Sequence, residues 1–141
     1  MKRLLYIYVV IGMMITSCTL ETSDNGKLDG MWLLTTVDTL STGGSANVRE
    51  SLITWSFQMK LMQLRHPSNR LTFHFLHEGN QIILKDAVVD DRSSGDIPVT
   101  DVEIMESVGL TQLQDTFTVN NLNSSNLDVA NKQYRYRFRK Y

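Results

Sequence analysis

The chain is poor in the residues that usually announce chemistry. It has one cysteine, Cys18, in 141 residues, so no disulfide can form within it and hydrophobic packing must hold the fold. Charge of one sign is not in surplus either. Fourteen Lys and Arg stand against fifteen Asp and Glu, a formal net charge of -1, which disfavours a broadly basic nucleic-acid binder. Long apolar runs are missing: the uncharged stretch from Leu4 to Cys18 falls short of the roughly 20 residues a spanning helix needs.

Catalytic signatures are equally sparse. No serine sits in a Gly-x-Ser-x-Gly elbow, and Gly43-Gly44 lacks the nearby lysine and strand-to-helix context of a phosphate-binding loop. Sequence order identifies no pair of carboxylates aimed across a cleft, as glycoside hydrolysis requires. The histidines are His66, His74 and His77. An odd spacing puts His74 and His77 on opposite faces of a straight strand, which works against a shared metal. Asp86, Asp90, Asp91, Asp96 and Asp101 make the middle of the chain acidic, but their spacing does not match an EF-hand loop, and solvation of loops accounts for them. The expectation is a protein that is not an enzyme, with no cofactor and no metal site.

What is present begins at the N-terminus. Lys2-Arg3 forms a basic head, Leu4 to Ile15 an apolar segment, and Thr16-Ser17 a small pair before Cys18. Basic residues hold the leading end on the cytoplasmic side while the apolar segment enters the bilayer. Ile15-Thr16-Ser17-Cys18 resembles the lipobox of bacterial lipoprotein precursors. The resemblance implies a diacylglyceryl group on the Cys18 thiol, removal of residues 1–17 as a signal peptide, and a further acyl chain on the new terminal amine, with palmitate among the acyl groups. Two or three acyl chains, at about 0.8 kcal/mol per buried methylene, would make the attachment effectively permanent. A plain secretory signal or a transmembrane anchor are the alternatives. Thr19 to Lys27 is polar and aperiodic, so residues 18–27 are expected to be a flexible tether and 28–141 the folded domain. Glu21 and Asp24 loosely resemble the acidic patch that directs some Bacteroidetes lipoproteins to the cell surface. The expected location is the cell envelope, anchored to the outer membrane and facing the periplasm or the exterior.

From Gly30 the pattern is strand after strand. Alternation over Gly30 to Leu40 predicts the first, and Ser41 to Ser45 breaks it before Ala46 to Ser51, a loop or a brief helical turn. Ile53 to Leu64 reads as the longest strand, with Ile53, Trp55, Phe57, Met59 and Leu61 on one face and a bulge or a change of environment near Met62 and Leu64. His66-Pro67-Ser68-Asn69 is a turn. Leu71, Phe73 and Phe75 continue the inward pattern to Glu78-Gly79-Asn80, Ile82 to Val89 follows, and Asp90 to Ile97 reads as a loop. Thr100 with Glu103 three positions on fits a capping box, and Gly109 a helix stop; a strand is the rival reading. Strands return at Asp115 to Leu122, at Leu127 to Ala130 and in the last segment. There Tyr134, Tyr136 and Phe138 alternate with Arg135, Arg137 and Arg139, which sets an aromatic core face against a cationic outer one. That separation also argues against combined stacking and phosphate binding of a nucleic acid.

The fold class is therefore all-β, a small antiparallel meander barrel with one short helix near residues 101–108. Gly30-Met31-Trp32 resembles the Gly-x-Trp motif near the first strand of lipocalin-like barrels. Tyr134 to Tyr141 resembles the final strand of small lipocalin-like lipoproteins of Bacteroidetes, many without an assigned function. The resemblance implies that Trp32 packs across the closed end, with Arg137 or Arg139 covering its ring. The simpler reading is that Trp32 is core and the arginines are a solvated face. Trp55, Phe57, Met59, Phe73, Phe75, Phe117, Tyr136 and Phe138 are the residues expected to line or fill the barrel. Two functions follow from this reading. The first is a lipid-anchored binding module for a small apolar or amphipathic ligand, attached to the membrane through Cys18. The second is a filled structural module whose loops contact another envelope protein.

Overall fold

The structure, a computed structural model, describes residues 25–91 and 93–141. The expected signal peptide, Cys18 and most of the expected tether lie outside the described residues. Ten strands follow in chain order: β1 (Gly30–Thr39), β2 (Ser45–Asn47), β3 (Thr54–Gln58), β4 (Leu61–Arg65), β5 (Arg70–Glu78), β6 (Gln81–Asp91), β7 (Gly95–Pro98), β8 (Asp115–Leu122), β9 (Asn126–Ala130) and β10 (Tyr134–Lys140). Among the described residues there is one α-helix, α1 (Val102–Ser107), between β7 and β8.

Eight of the strands form a closed antiparallel barrel in the order β1, β3, β4, β5, β6, β8, β9, β10, with β10 pairing back onto β1. Closure leaves the main wall without an edge. The two short strands add to long neighbours that outrun their partners. Where β1 continues past β3, Thr36 to Asp38 pair with Asn47 to Ser45 of β2; where β6 continues past β8, Val88 to Asp91 pair with Pro98 to Gly95 of β7.

Alternation places the core as expected along the last strand: Tyr136 and Phe138 are buried, while Arg135 and Arg137 pair on the outside. Both arginines meet acidic side chains of neighbouring strands, Arg135 with Asp128 on β9 and Arg137 with Asp38 on β1. Inside, the Trp55 ring contacts Phe57, Phe117, Tyr136 and Phe138 at centroid separations of 6.4, 5.3, 5.8 and 4.8 Å. Phe73 and Phe75 are also buried. Aromatic side chains thus occupy the barrel axis and fill it.

Met59 is the exception among the expected lining residues. The segment Ile53 to Leu64 is two strands joined at Met59-Lys60, where Met59 takes a φ of +55° and is 46% exposed. A two-residue turn opposes residues of unlike parity, so Phe57 faces Met62 and Trp55 faces Leu64. Buried Met62 and Leu64 follow from that hairpin, not from a bulge. Bulges do occur elsewhere in the wall, one of them in β1 between Leu34 and Thr36.

Three other expectations are corrected. Asp90 to Ile97 is a β-hairpin of β6 and β7, turning through Gly95 at φ +81°, where a loop was expected. The cap of α1 is Asp101, whose carboxylate accepts from the Glu103 N–H at 2.9 Å; Thr100 is one residue too early. Asn25 to Lys27, assigned to the tether, belongs to the folded domain. Gly26–Leu28 is a 3₁₀ turn, and the Asn25 amide donates to Asp29 Oδ1 at 2.8 Å and to the Met59 carbonyl at 2.7 Å. The Ala46 to Ser51 segment, expected as a loop or a brief helical turn, continues β2 as far as Asn47, where no strand was expected, and then makes a 3₁₀ turn at Arg49–Ser51.

Candidate functional site: the mouth of the barrel

The two ends of the barrel are built differently. At one end the chain enters through the 3₁₀ turn, and Trp32 is completely buried, its indole N–H donating to the Leu28 carbonyl at 2.8 Å. The ammonium of Lys140 lies 4.5 Å from the centre of the Trp32 ring and donates to the Asp29 carbonyl. The cation over Trp32 is therefore Lys140, not Arg137 or Arg139. Parity supplies the reason: Lys140 continues the inward series of Tyr134, Tyr136 and Phe138, whereas Arg137 and Arg139 belong to the outward one. Gly30 makes room for it. A Cβ there would lie 2.6 Å from the Lys140 ammonium, and the glycine's φ of +111° is strained for any other residue. This end is a closure and offers no site.

The opposite end is open. A cavity of about 650 Å³ lies between the β1–β2 hairpin on one side and the segment that follows α1 on the other. Leu34, Val37, Val48, Ile53, Leu110 and Tyr134 give it apolar walls, with Tyr136 at its base; Thr39, Ser45, Thr111 and Glu106 add polar groups. The β1 bulge matters here, because it restores the inward direction at Val37 and Thr39 after Leu34. The far wall depends on the helix stop. Met105 and Val108 of the helical segment are buried in the core, and Gly109 turns the chain at φ +83° so that Leu110 N–H returns to the Met105 carbonyl at 2.9 Å. Val102, by contrast, is exposed.

Tyr136 joins the two halves of this end. Its hydroxyl donates to the Gly109 carbonyl at 2.8 Å and so ties the post-helix segment to β10. Burial, and then the nearby Asp115 carboxylate, push the Tyr136 phenol above its ordinary range, which keeps it protonated and able to donate. Asp115 is itself raised by burial, against hydrogen bonds from the Asn131 amide at 2.8 Å and the Thr116 N–H at 2.9 Å.

Of the residues expected to line a ligand site, Tyr136 alone borders the cup. Trp55, Phe57, Phe73, Phe75, Phe117 and Phe138 pack below it as the filled interior, and Met59 lies at the opposite end. The missed lining residues are partly buried aliphatics beside loops, such as Val37, Val48 and Ile53. The signal available for them was the apolar character of Val48 and Ile53 on either side of a polar turn. Among the described residues no group of three His, Cys, Asp or Glu side chains could hold a metal ion, and no helix is long and apolar enough to cross a membrane.

Comparison with known proteins bears on the barrel as a whole. The profile of the lipocalin-like domain matches residues 13–141. A lipocalin-like protein from Bacteroides uniformis has a similar crystal structure, with a TM-score of 0.64 at 21% identity, covering 82% of this chain and 100% of that one. An uncharacterized protein from Bacteroides eggerthii gives a TM-score of 0.57 at 18% identity, covering 81% of this chain and 99% of that one. No curated protein matched the sequence.

Proposed function

Because the chain belongs to the lipocalin-like domain family, we propose that it is a lipid-anchored binding module that holds a small apolar or amphipathic molecule at the mouth of its barrel. Cys18 carries the anchor in this reading, and the tether places the domain at the outer membrane, facing the periplasm or the exterior. The observation that supports binding is the cup of about 650 Å³ with largely aliphatic walls, a size ordinary for small-molecule sites. Ligand surface leaving water supplies the driving force. The ligand is shallow-seated, since the aromatic cluster beneath leaves no passage for it along the axis. Tyr136, held by Gly109, gives the cup a rigid base, and among the described residues Glu106 is the one charged group on its rim.

A neutral apolar fluorophore, 1-aminoanthracene, tests this directly. Saturable binding near one molecule per chain is expected, and Ala46→Trp, which fills the cup from the rim, should weaken it by more than tenfold while leaving the fold intact. Binding that does not saturate, or that Ala46→Trp leaves unchanged, would overturn the assignment.

The filled interior also supports a second reading, a non-enzymatic interaction module that uses its mouth loops. Leu40, Leu52 and Ile97 are exposed apolar residues close to those loops, Leu40 and Leu52 flanking the Ser41 to Ser51 segment and Ile97 within the Asp90 to Gly109 segment. A change in the envelope proteins recovered with Ile97→Ser, compared with the native chain, would favour this reading over the first.

A further inference from the structure

The outer wall of the barrel carries an arrangement that the cup does not use. Thr54 on β3 stands directly opposite Arg65 on β4, and Arg65 directly opposite Arg70 on β5. Like charges directly opposed on neighbouring strands repel, at side-chain separations of roughly 5 Å. Arg70 has a partial remedy in Asp90 on β6, whose carboxylate lies 3.4 Å from its guanidinium. Arg65 has no carboxylate within ion-pair distance among the described residues. The third member of the row is also incomplete. Thr54 is only 7% exposed, and its hydroxyl oxygen is buried without a hydrogen-bond partner. A buried hydroxyl left unpaired is costly, and most such groups in proteins are satisfied.

These side chains lie along one groove of about 790 Å³, flanked by His66 and Asn69 of the β4–β5 turn and by the apolar Leu52 and Val89. None of its lining residues is shared with the cup. A single kind of ligand remedies both defects. An oxyanion between Arg65 and Arg70 neutralises the opposed charges through guanidinium forks suited to phosphate or carboxylate oxygens, and the Thr54 side chain, which borders the groove, meets an acceptor there once its buried hydroxyl rotates outward. Asp90 opposes an anion, but it lies beyond Arg70 in the row and is occupied by that residue's guanidinium.

We propose that the Thr54–Arg65–Arg70 row in the outer groove is a binding site for a phosphate-type oxyanion, independent of the cup at the mouth. The anion arrives either free or as the phosphodiester of a lipid headgroup. The site is tested on the full chain by following the guanidinium Nε–H resonances of arginine while inorganic phosphate is added at constant ionic strength, with chloride as the control. Saturable shifts at Arg65 and Arg70, but not at Arg49, are expected. Arg65→Gln should weaken binding at least tenfold. Thr54→Val, which keeps the shape and removes the hydroxyl, should weaken it severalfold. Dihexanoyl phosphatidylglycerol below its micellar concentration identifies the source: tighter binding than phosphate marks the headgroup, equal or weaker binding marks the free anion, and either supports the site. Shifts that stay linear and match those from chloride, or an Arg65→Gln variant that binds as the native chain does, would overturn it. Loss of fluorophore binding at the mouth leaves this result untouched, so the two proposals fail separately.

Discussion

The two ends of this barrel close the same eight strands in opposite ways. At the Trp32 end, a large side chain is fully buried, its one polar atom is hydrogen-bonded, and a lysine covers its ring. At the mouth, Val37, Val48, Ile53 and Tyr134 remain partly buried around an open cup. The difference teaches where this fold has room to vary. Closure at one end comes from a few residues in a fixed register, so the other end is free of that duty and its loops can be shaped for contact.

The contrast breaks most readily at Trp32. Trp32→Ala should cost about 3–5 kcal/mol of unfolding free energy, the usual range for emptying a large aromatic site. Ile53→Ala at the mouth should cost about 1 kcal/mol, because the side chain is only partly buried. Equal losses in chemical denaturation would show that the mouth is as much a part of the core as the closed end. A smaller effect is expected at the tie between β10 and the post-helix segment. Tyr136→Phe removes one hydrogen bond to the Gly109 carbonyl and should cost about 1 kcal/mol. It should also speed hydrogen exchange at the Leu110 amide more than at the buried strands, and unchanged exchange would mean that the tie does not hold the cup's wall. The smallest effect belongs to the lid over Trp32. Lys140→Met keeps the apolar stem and loses the cation over the ring, for about 0.5–1 kcal/mol. A larger loss would indicate that the bond to the Asp29 carbonyl, more than the ring contact, holds the end shut.

How much was legible in the sequence varied with the kind of signal. β8 and β10 could be read to within a residue because β10 alternates strictly and β8 alternates from Asp115 to Val119, before its bulge, with aromatic or β-branched residues on a consistent face. The Met59-Lys60 turn could not be read. It contains no Gly, Asn, Asp or Pro, and the positive φ at Met59 is imposed by the pairing of β3 with β4. The β6–β7 hairpin was hidden by its acidic, mostly exposed residues, which carry no core face to mark a strand. Asp101 displaced Thr100 as the helix cap because either can cap, and the choice depends on where the chain leaves β7. At the mouth, the interior aromatics are buried but say nothing of the cup above them. Its walls are ordinary aliphatics brought together from β1, the β2 hairpin and the post-helix loop.

The sequence by itself determined the local alternation, and with it the aromatic interior, the cationic outer face of β10 and the all-β class. Those follow from side chains two residues apart sharing a face, which neighbours in the chain are enough to set. Only the tertiary structure decided that Lys140 covers Trp32, that Arg65 stands against Arg70 beside an unpaired Thr54 hydroxyl, and that an open cup lies over a filled barrel. Each depends on the register between strands, fixed by the two-residue β3–β4 turn, the four-residue β4–β5 turn and the β1 bulge, where a one-residue shift changes which side chains meet.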